Sequence, residues 1–337
     1  MKKTSDTSSS YDKIGVIGAG AWGTALALAA AQAGRSVTLW AREAEVVEQI
    51  ARHSENIAFL PGVKLPSAIR ATGDLAEASE ADAVLVVVPA QHLRASLKAL
   101  AAKLCQATPV VLCAKGIERG SGRLMTEILI AEIPGCEPAI LSGPSFARDV
   151  ARGLPTAVTI AARMEVAVKL QAAFGHTTFR PYASDDITGV VLGGAAKNVY
   201  AIACGIVDGM GLGESARAAL LARSFAELTR LGSALGAKPE TLMGLSGLGD
   251  LVLTATSATS RNFSFGHALG KGQTLSDLAR PGHPLAEGVE TAPALVARAR
   301  TEGVELPIAE AVAAVLDGSL PLGEAVLRLM SRPLKPE

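Results

Sequence analysis

The sequence predicts an α/β fold, an N-terminal doubly wound parallel sheet followed by an all-α C-terminal domain. Two observations carry the prediction. From Lys13 to about residue 185, short β-branched runs alternate with Ala/Leu-rich helical stretches, and that alternation builds a parallel sheet with right-handed crossovers. Beyond it the strand signals stop and a 3.6-residue apolar period holds to the C-terminus, which is the period of helices. At 337 residues the chain is too long for one ordinary core. The division expected is a disordered N-terminal tail over 1–11, a sheet domain over 12–185 and a helical domain over 186–337.

In order, Lys13–Ile17 is the first strand, residues 23–33 an amphipathic helix stopped by Gly34, and Ser36–Trp40 the second strand. A helix follows over 43–52. The continuous run 83–88 is a strand buried on both faces, ended by Pro89. A helix over 91–103, a strand over 109–113 and a short strand over 138–142 complete the rhythm. In the second half the helical candidates are 186–207, 214–235, Asp250–Thr256, 262–269 and 309–316.

The first strand runs directly into Gly18-x-Gly20-x-x-Gly23 and then into a helix. A glycine-rich turn alone is weak evidence, but between a strand and a helix it is the fingerprint of a dinucleotide-binding, Rossmann-type domain. Gly18 permits the tight turn, and Gly20 lets backbone approach a pyrophosphate. Gly23 lets helix and strand lie close, and the helix N-terminus faces the anion. The second strand ends Trp40-Ala41-Arg42-Glu43. An acid there suits the ribose hydroxyl of NADH and an arginine the extra phosphate of NADPH. Arg42 favours NADPH; Glu43 leaves NADH open or simply starts a helix.

Four stretches combine glycine, small residues and single polar groups. In Cys113-Ala-Lys115-Gly116, Lys115 follows a buried strand, where ligands of this fold sit. In Leu141-Ser-Gly143-Pro144-Ser145-Phe-Ala147, a turn exposes backbone N–H groups and the Ser145 hydroxyl; no G-x-S-x-G elbow makes Ser145 a nucleophile. In Gly193-Gly-Ala-Ala-Lys197-Asn198, small residues let another backbone or a flat ring approach. Lys197 is either a desolvated lysine tuned for proton transfer or a snorkelling helix lysine. In Gly247-Leu-Gly249-Asp250, the aspartate reads as a helix N-cap, and Ser260-Arg261-Asn262 at another helix start suits a phosphate, with Ser260 equally a plain cap.

Composition narrows the classes. With 32 basic and 32 acidic residues the net charge is zero, which excludes the basic footprint of a nucleic-acid binder. The polar stretch 1–10 is no signal peptide, and runs such as 25–31 and 83–89 are too short to span a membrane. Four cysteines without CxxC spacing point to a reduced, cytoplasmic protein. The five histidines (His53, His92, His176, His267, His283) show no metal spacing, so no metal is expected.

Together these stretches resemble the bacterial-type NAD(P)-dependent sn-glycerol-3-phosphate dehydrogenases. The resemblance rests on seven motifs in family order: GAGAWGTALA from Gly18, CAKGIE from Cys113, LSGPSFA from Leu141, GAAKNVYAIA from Gly194, GLGDLVLT from Gly247, TSRN from Thr259 and AEG from Ala286. It implies an oxidoreductase that reversibly reduces dihydroxyacetone phosphate to sn-glycerol 3-phosphate for glycerophospholipid synthesis. By resemblance Lys197 is the general acid/base, and Lys115 touches both substrate and cofactor. Gly143, Ser145, Asp250, Ser260, Arg261 and Asn262 fall at substrate positions. Ala21, Trp22, Arg42, Ala147, Leu285 and Glu287 fall at cofactor positions, with Arg261 shared, and Asp250 holds Lys197 in place. Ala21 stands where many members have Ser, which removes one phosphate hydrogen bond or leaves it to backbone. The competing readings are a β-hydroxyacid dehydrogenase of similar plan, which would not need the Ser260-Arg261-Asn262 set, and a cofactor-sensing protein without turnover. The Ala/Leu-rich helices are compatible with a homodimer.

Overall fold

A computed structural model describes residues 11–278, 280 and 286–333. Leu285 and residues 1–10 of the expected tail lie outside the described residues. By their contacts the residues form two compact units, one of residues up to Ala114 with Thr126–Ile187, the other of Lys115–Met125 with the chain from Thr188 onward.

The first unit is built on one sheet of eight strands: β1 (Lys13–Ile17), β2 (Ser36–Trp40), β3 (Ile69–Thr72), β4 (Ala83–Val86), β5 (Pro109–Leu112), β6 (Glu137–Ser142), β7 (Thr156–Ala161) and β8 (Phe179–Ser184), in the order β3-β2-β1-β4-β5-β6-β7-β8. The first six strands pair in parallel. Strands β6 and β7 run antiparallel, with Leu141 opposite Ile160, and β7 pairs β8 in parallel. The parallel sheet expected from the sequence therefore reverses at one seam. The cause is the β6–β7 connection, whose one helix, Ala147–Ala151, has five residues. At ~1.5 Å per residue it spans about 7.5 Å, short of the ~20 Å needed to carry the chain back along a six-residue strand.

Strands β3, β7 and β8 escape the sequence reading. Ile-Arg-Ala-Thr is too short and polar to signal a strand, and β8 carries Pro181, which an edge strand tolerates. The helix Ala21–Gln32 is also not amphipathic in place, because Gly23 to Ala30 are all buried. A helix apolar all round belongs inside a core. It packs on β1 and β2 and on the Ala147–Ala151 helix.

The second unit is helical. Its axis is Ile187–Gly209, buried over almost all its length. Among the described residues it alone is long and apolar enough to cross a membrane, and that stretch is wholly buried in protein. Helix Arg261–Gly270 crosses it with the backbones nearly touching: a Cβ on Gly205 would lie 2.1 Å from the Phe263 carbonyl oxygen, and one on Gly266 2.1 Å from that of Ile202. The Lys115–Met125 segment joins this unit and closes on itself through a bridge between Ile117 and Leu124.

Candidate active site

In the first unit the dinucleotide turn follows β1. Gly18 takes φ +116°, and a Cβ there would strike the Val87 carbonyl oxygen at 2.3 Å. Gly23 lies against Gly18, where a Cβ would come within 1.8 Å of its carbonyl oxygen, so helix Ala21–Gln32 starts hard against the turn. A Cβ on Gly20 would meet nothing within 4 Å. A turn closed on its protein side and open at Gly20 fits a pyrophosphate facing the helix N-terminus. Ala21 and Trp22 open that helix; Trp22 packs on the core with its Nε1 buried and lacking a hydrogen bond. The Gly18 N–H donates to the Trp40 carbonyl at 3.1 Å, tying the turn to the end of β2, where Arg42 lies. Arg42 is exposed and donates twice to Glu43 Oε1, at 2.9 and 2.7 Å, so the two residues offered by sequence as alternatives are paired.

Past β6, the Ser145 hydroxyl donates to the Gly143 carbonyl at 3.0 Å, and Ala147 begins the next short helix.

The second unit gathers the charged residues. Lys197 is only 7% exposed and sits on the buried axis helix. Four residues before it, on the same helix face, Gly193 makes room for another chain segment: a Cβ there would be 2.5 Å from the Ser246 carbonyl oxygen. That segment, Leu245–Gly249, is a single π turn, with the Gly249 N–H donating to the Gly244 carbonyl at 3.0 Å. Its backbone rests on Gly193, and so the residue that follows, Asp250, is brought to Lys197.

Asp250 is not an N-cap. Gly249 takes that place, and the Asp250 carboxylate is spent on two lysines. Lys197 Nζ donates to Asp250 Oδ1 and, at 2.9 Å, to Thr254 Oγ1. Lys115 Nζ donates to Asp250 Oδ2 at 2.7 Å. Burial pushes the Lys197 ammonium down to about 7; the Lys115 charge acts in the same direction, and Asp250 opposes both. Burial works against the Asp250 carboxylate, but Lys115 and Lys197 together hold it below the usual carboxylate range.

Ser260 caps helix Arg261–Gly270, its Oγ accepting from the Phe263 N–H at 3.2 Å. Arg261, the first residue of that helix, is exposed. Asn262 is buried; its Nδ2 donates to Asn198 Oδ1 at 3.0 Å, and its Oδ1 accepts the Gly288 N–H at 2.9 Å. Glu287, beside Gly288, starts helix Glu287–Thr301.

The structure thus brings Lys115, Lys197 and Asp250 into contact, and joins Asn262 to the helix start at Glu287. The positions in the other unit form two groups, one at the ends of β1 and β2, the other past β6. Thr254 and Asn198, which the sequence reading passed over, belong to the polar network. Thr254 was legible as the residue one helical turn after Asp250. Asn198 carried no signal beyond its place next to Lys197.

Two family models match the chain: the N-terminal part of NAD-dependent glycerol-3-phosphate dehydrogenase over residues 13–168, and the C-terminal part over 186–327. A glycerol-3-phosphate dehydrogenase [NAD(P)+] of Parvibaculum lavamentivorans is 58% identical over 97% of this chain and 98% of its own length. That of Caulobacter vibrioides is 55% identical over 97% and 99%. The crystal structure of the Coxiella burnetii glycerol-3-phosphate dehydrogenase superposes with a TM-score of 0.90 at 37% identity, covering 95% of this chain and 99% of that one. The chain belongs to the NAD-dependent glycerol-3-phosphate dehydrogenase family.

Proposed function

We propose that the protein reduces dihydroxyacetone phosphate to sn-glycerol 3-phosphate, reversibly, with NADPH favoured over NADH, in the cytoplasm and in the service of glycerophospholipid synthesis. The observation that carries the reading is the buried Lys197–Asp250–Lys115 cluster in a chain of this family. A bound NAD(P)H supplies the hydride. Lys197 Nζ gives its proton to the ketone oxygen as negative charge builds there, and takes it back in the reverse direction. Asp250 holds that ammonium in place, and Lys115 adds a second positive charge for the developing alkoxide. Arg261 and Asn262 at the start of their helix bind the phosphate, and that remote binding orients the carbonyl. Gly18, Gly20 and Gly23 with Ala21 and Trp22 receive the pyrophosphate, Arg42 the adenosine 2′-phosphate, and Ala147, Leu285 and Glu287 the remainder of the cofactor.

Exposed Leu327 and Met330 support a homodimer, and four free cysteines a reducing compartment. The test is cofactor oxidation with dihydroxyacetone phosphate against unphosphorylated dihydroxyacetone. Rapid oxidation by the phosphorylated ketone alone is expected, with Arg261→Ala raising its KM and Arg42→Ala raising KM for NADPH but not NADH. Oxidation of cofactor by neither ketone would reject the reaction.

A further inference from the structure

Asn56 follows helix Ala44–His53 and is wholly buried. Its carboxamide reaches across to the dinucleotide turn. Nδ2 donates to the Ala19 carbonyl at 2.8 Å and to Thr24 Oγ1 at 2.8 Å, and Oδ1 accepts the Phe59 N–H at 3.3 Å. A carbonyl only accepts and a backbone N–H only donates, so the amide has one orientation, with both its N–H groups and its oxygen in use. The Thr24 hydroxyl, also buried, donates to the same Ala19 carbonyl at 3.4 Å. Asn56 is fixed in turn by its own loop: a bridge joins Glu55 to Lys64, the Gly62 N–H donates to Glu55 Oε1 at 2.8 Å, and Leu60 and Leu65 are buried in the core.

The peptide between Ala19 and Gly20 is planar and trans, so its C=O and N–H point in opposite directions. Drawing the Ala19 carbonyl inward therefore turns the Gly20 N–H away from the protein interior. It also takes the negative end of that carbonyl away from an anion at the turn. We propose that Asn56 is a positioning residue for the dinucleotide: by tethering the Ala19 carbonyl inside the fold it aims the Gly20 N–H at the cofactor pyrophosphate. This rests on the reading of the Gly18–Gly23 turn as the pyrophosphate site.

The test is a double-mutant cycle of Asn56→Ala and Gly20→Ala, reading the NADPH dissociation constant without substrate by isothermal calorimetry. Asn56→Ala is expected to weaken NADPH about tenfold, the scale of one hydrogen bond to a charged group. Once a methyl group at Gly20 keeps the pyrophosphate off the turn, the aim of its N–H no longer counts. The double variant is therefore expected to bind about as weakly as Gly20→Ala alone, whereas a merely structural role for Asn56 would make the two losses multiply. Multiplying losses, or wild-type affinity in Asn56→Ala, would overturn the proposal. If Asn56→Ala does not fold, Thr24→Val takes its place in the cycle: it keeps the shape of the side chain, removes one donor from the Ala19 carbonyl, and is expected to weaken NADPH about threefold, with the same non-additivity; unchanged affinity contradicts the role. Gly20→Ala alone separates the two levels. If it binds NADPH normally, the reading of the turn fails; if it binds weakly while Asn56→Ala does not, only the positioning role fails.

Discussion

Lys115 Nζ lies 2.7 Å from Asp250 Oδ2, and by taking that oxygen it leaves Oδ1 of the same carboxylate to Lys197. One anion is shared by two cations. Burial, with the Lys115 charge beside it, brings Lys197 down to about 7 against the pull of Asp250, where an amine serves as acid in one direction and base in the other.

Lys115→Met removes one competitor for Asp250 and one positive charge near Lys197. The Lys197 pKa then rises, and the alkaline limb of the reduction rate moves to higher pH, as a pH series of kcat shows. Asp250→Asn does the reverse, leaving two cations without their anion in a buried place. Breaking such a pair by removing one partner costs about 3–5 kcal/mol, read as a fall in thermal or urea stability, together with a kcat lower by roughly 100-fold or more. Asp250→Asn with wild-type stability and kcat would show that the carboxylate does not hold the lysines.

Two glycines separate stability from binding. Gly193→Val forces the Ser246 carbonyl away and with it the turn that presents Asp250; a loss of about 1–3 kcal/mol is expected for such overpacking, with kcat falling as well. Gly20→Ala meets no protein atom within 4 Å and leaves the melting temperature unchanged, yet it weakens the cofactor by blocking the open side of the turn. Denaturation curves and cofactor titrations of both variants check the pair.

Glu227 carries a pH dependence unrelated to the reaction. It is 3% exposed and accepts from the N–H groups of Ile308 and Ala309, at the start of helix Pro307–Leu316. Burial pushes its carboxyl from 4.5 up to about 7, against those two donors and Arg230. The folded protein therefore holds this proton more tightly than the unfolded chain. The stabilisation is complete below pH 4.5 and is lost as pH rises through about 7, an effect of about 3 kcal/mol at most. Glu227→Gln should flatten that part of the stability profile; an identical slope in both proteins would place the titration elsewhere.

How much of this was legible in the sequence depended on whether the signal was local. Strands β1, β2 and β4 to β6 announce themselves as apolar β-branched runs, and the Gly18–Gly23 turn as a spacing. Strand β8, with Pro181 in it, is a strand only because β7 lies beside it, and the reversal at β6–β7 depends on the length of a connection. At the site, Lys197 stood out as a lysine in an apolar helix. Asp250 misled as a helix cap, because nothing local shows that Gly193 lets the π turn approach and aim the carboxylate at two lysines. Asn262 also bonds Asn198 and Gly288, contacts 64 and 26 residues away that its place beside Arg261 does not announce.

The decisive measurement is the pH dependence of kcat in both directions, for wild type and Lys197→Ala. With Lys197 as proton donor, ketone reduction falls and alcohol oxidation rises as pH passes through about 7, and Lys197→Ala loses both limbs along with roughly 100-fold or more of the rate. Lys197→Ala turning over at the wild-type rate, or keeping both limbs, would show that the proton comes from another group.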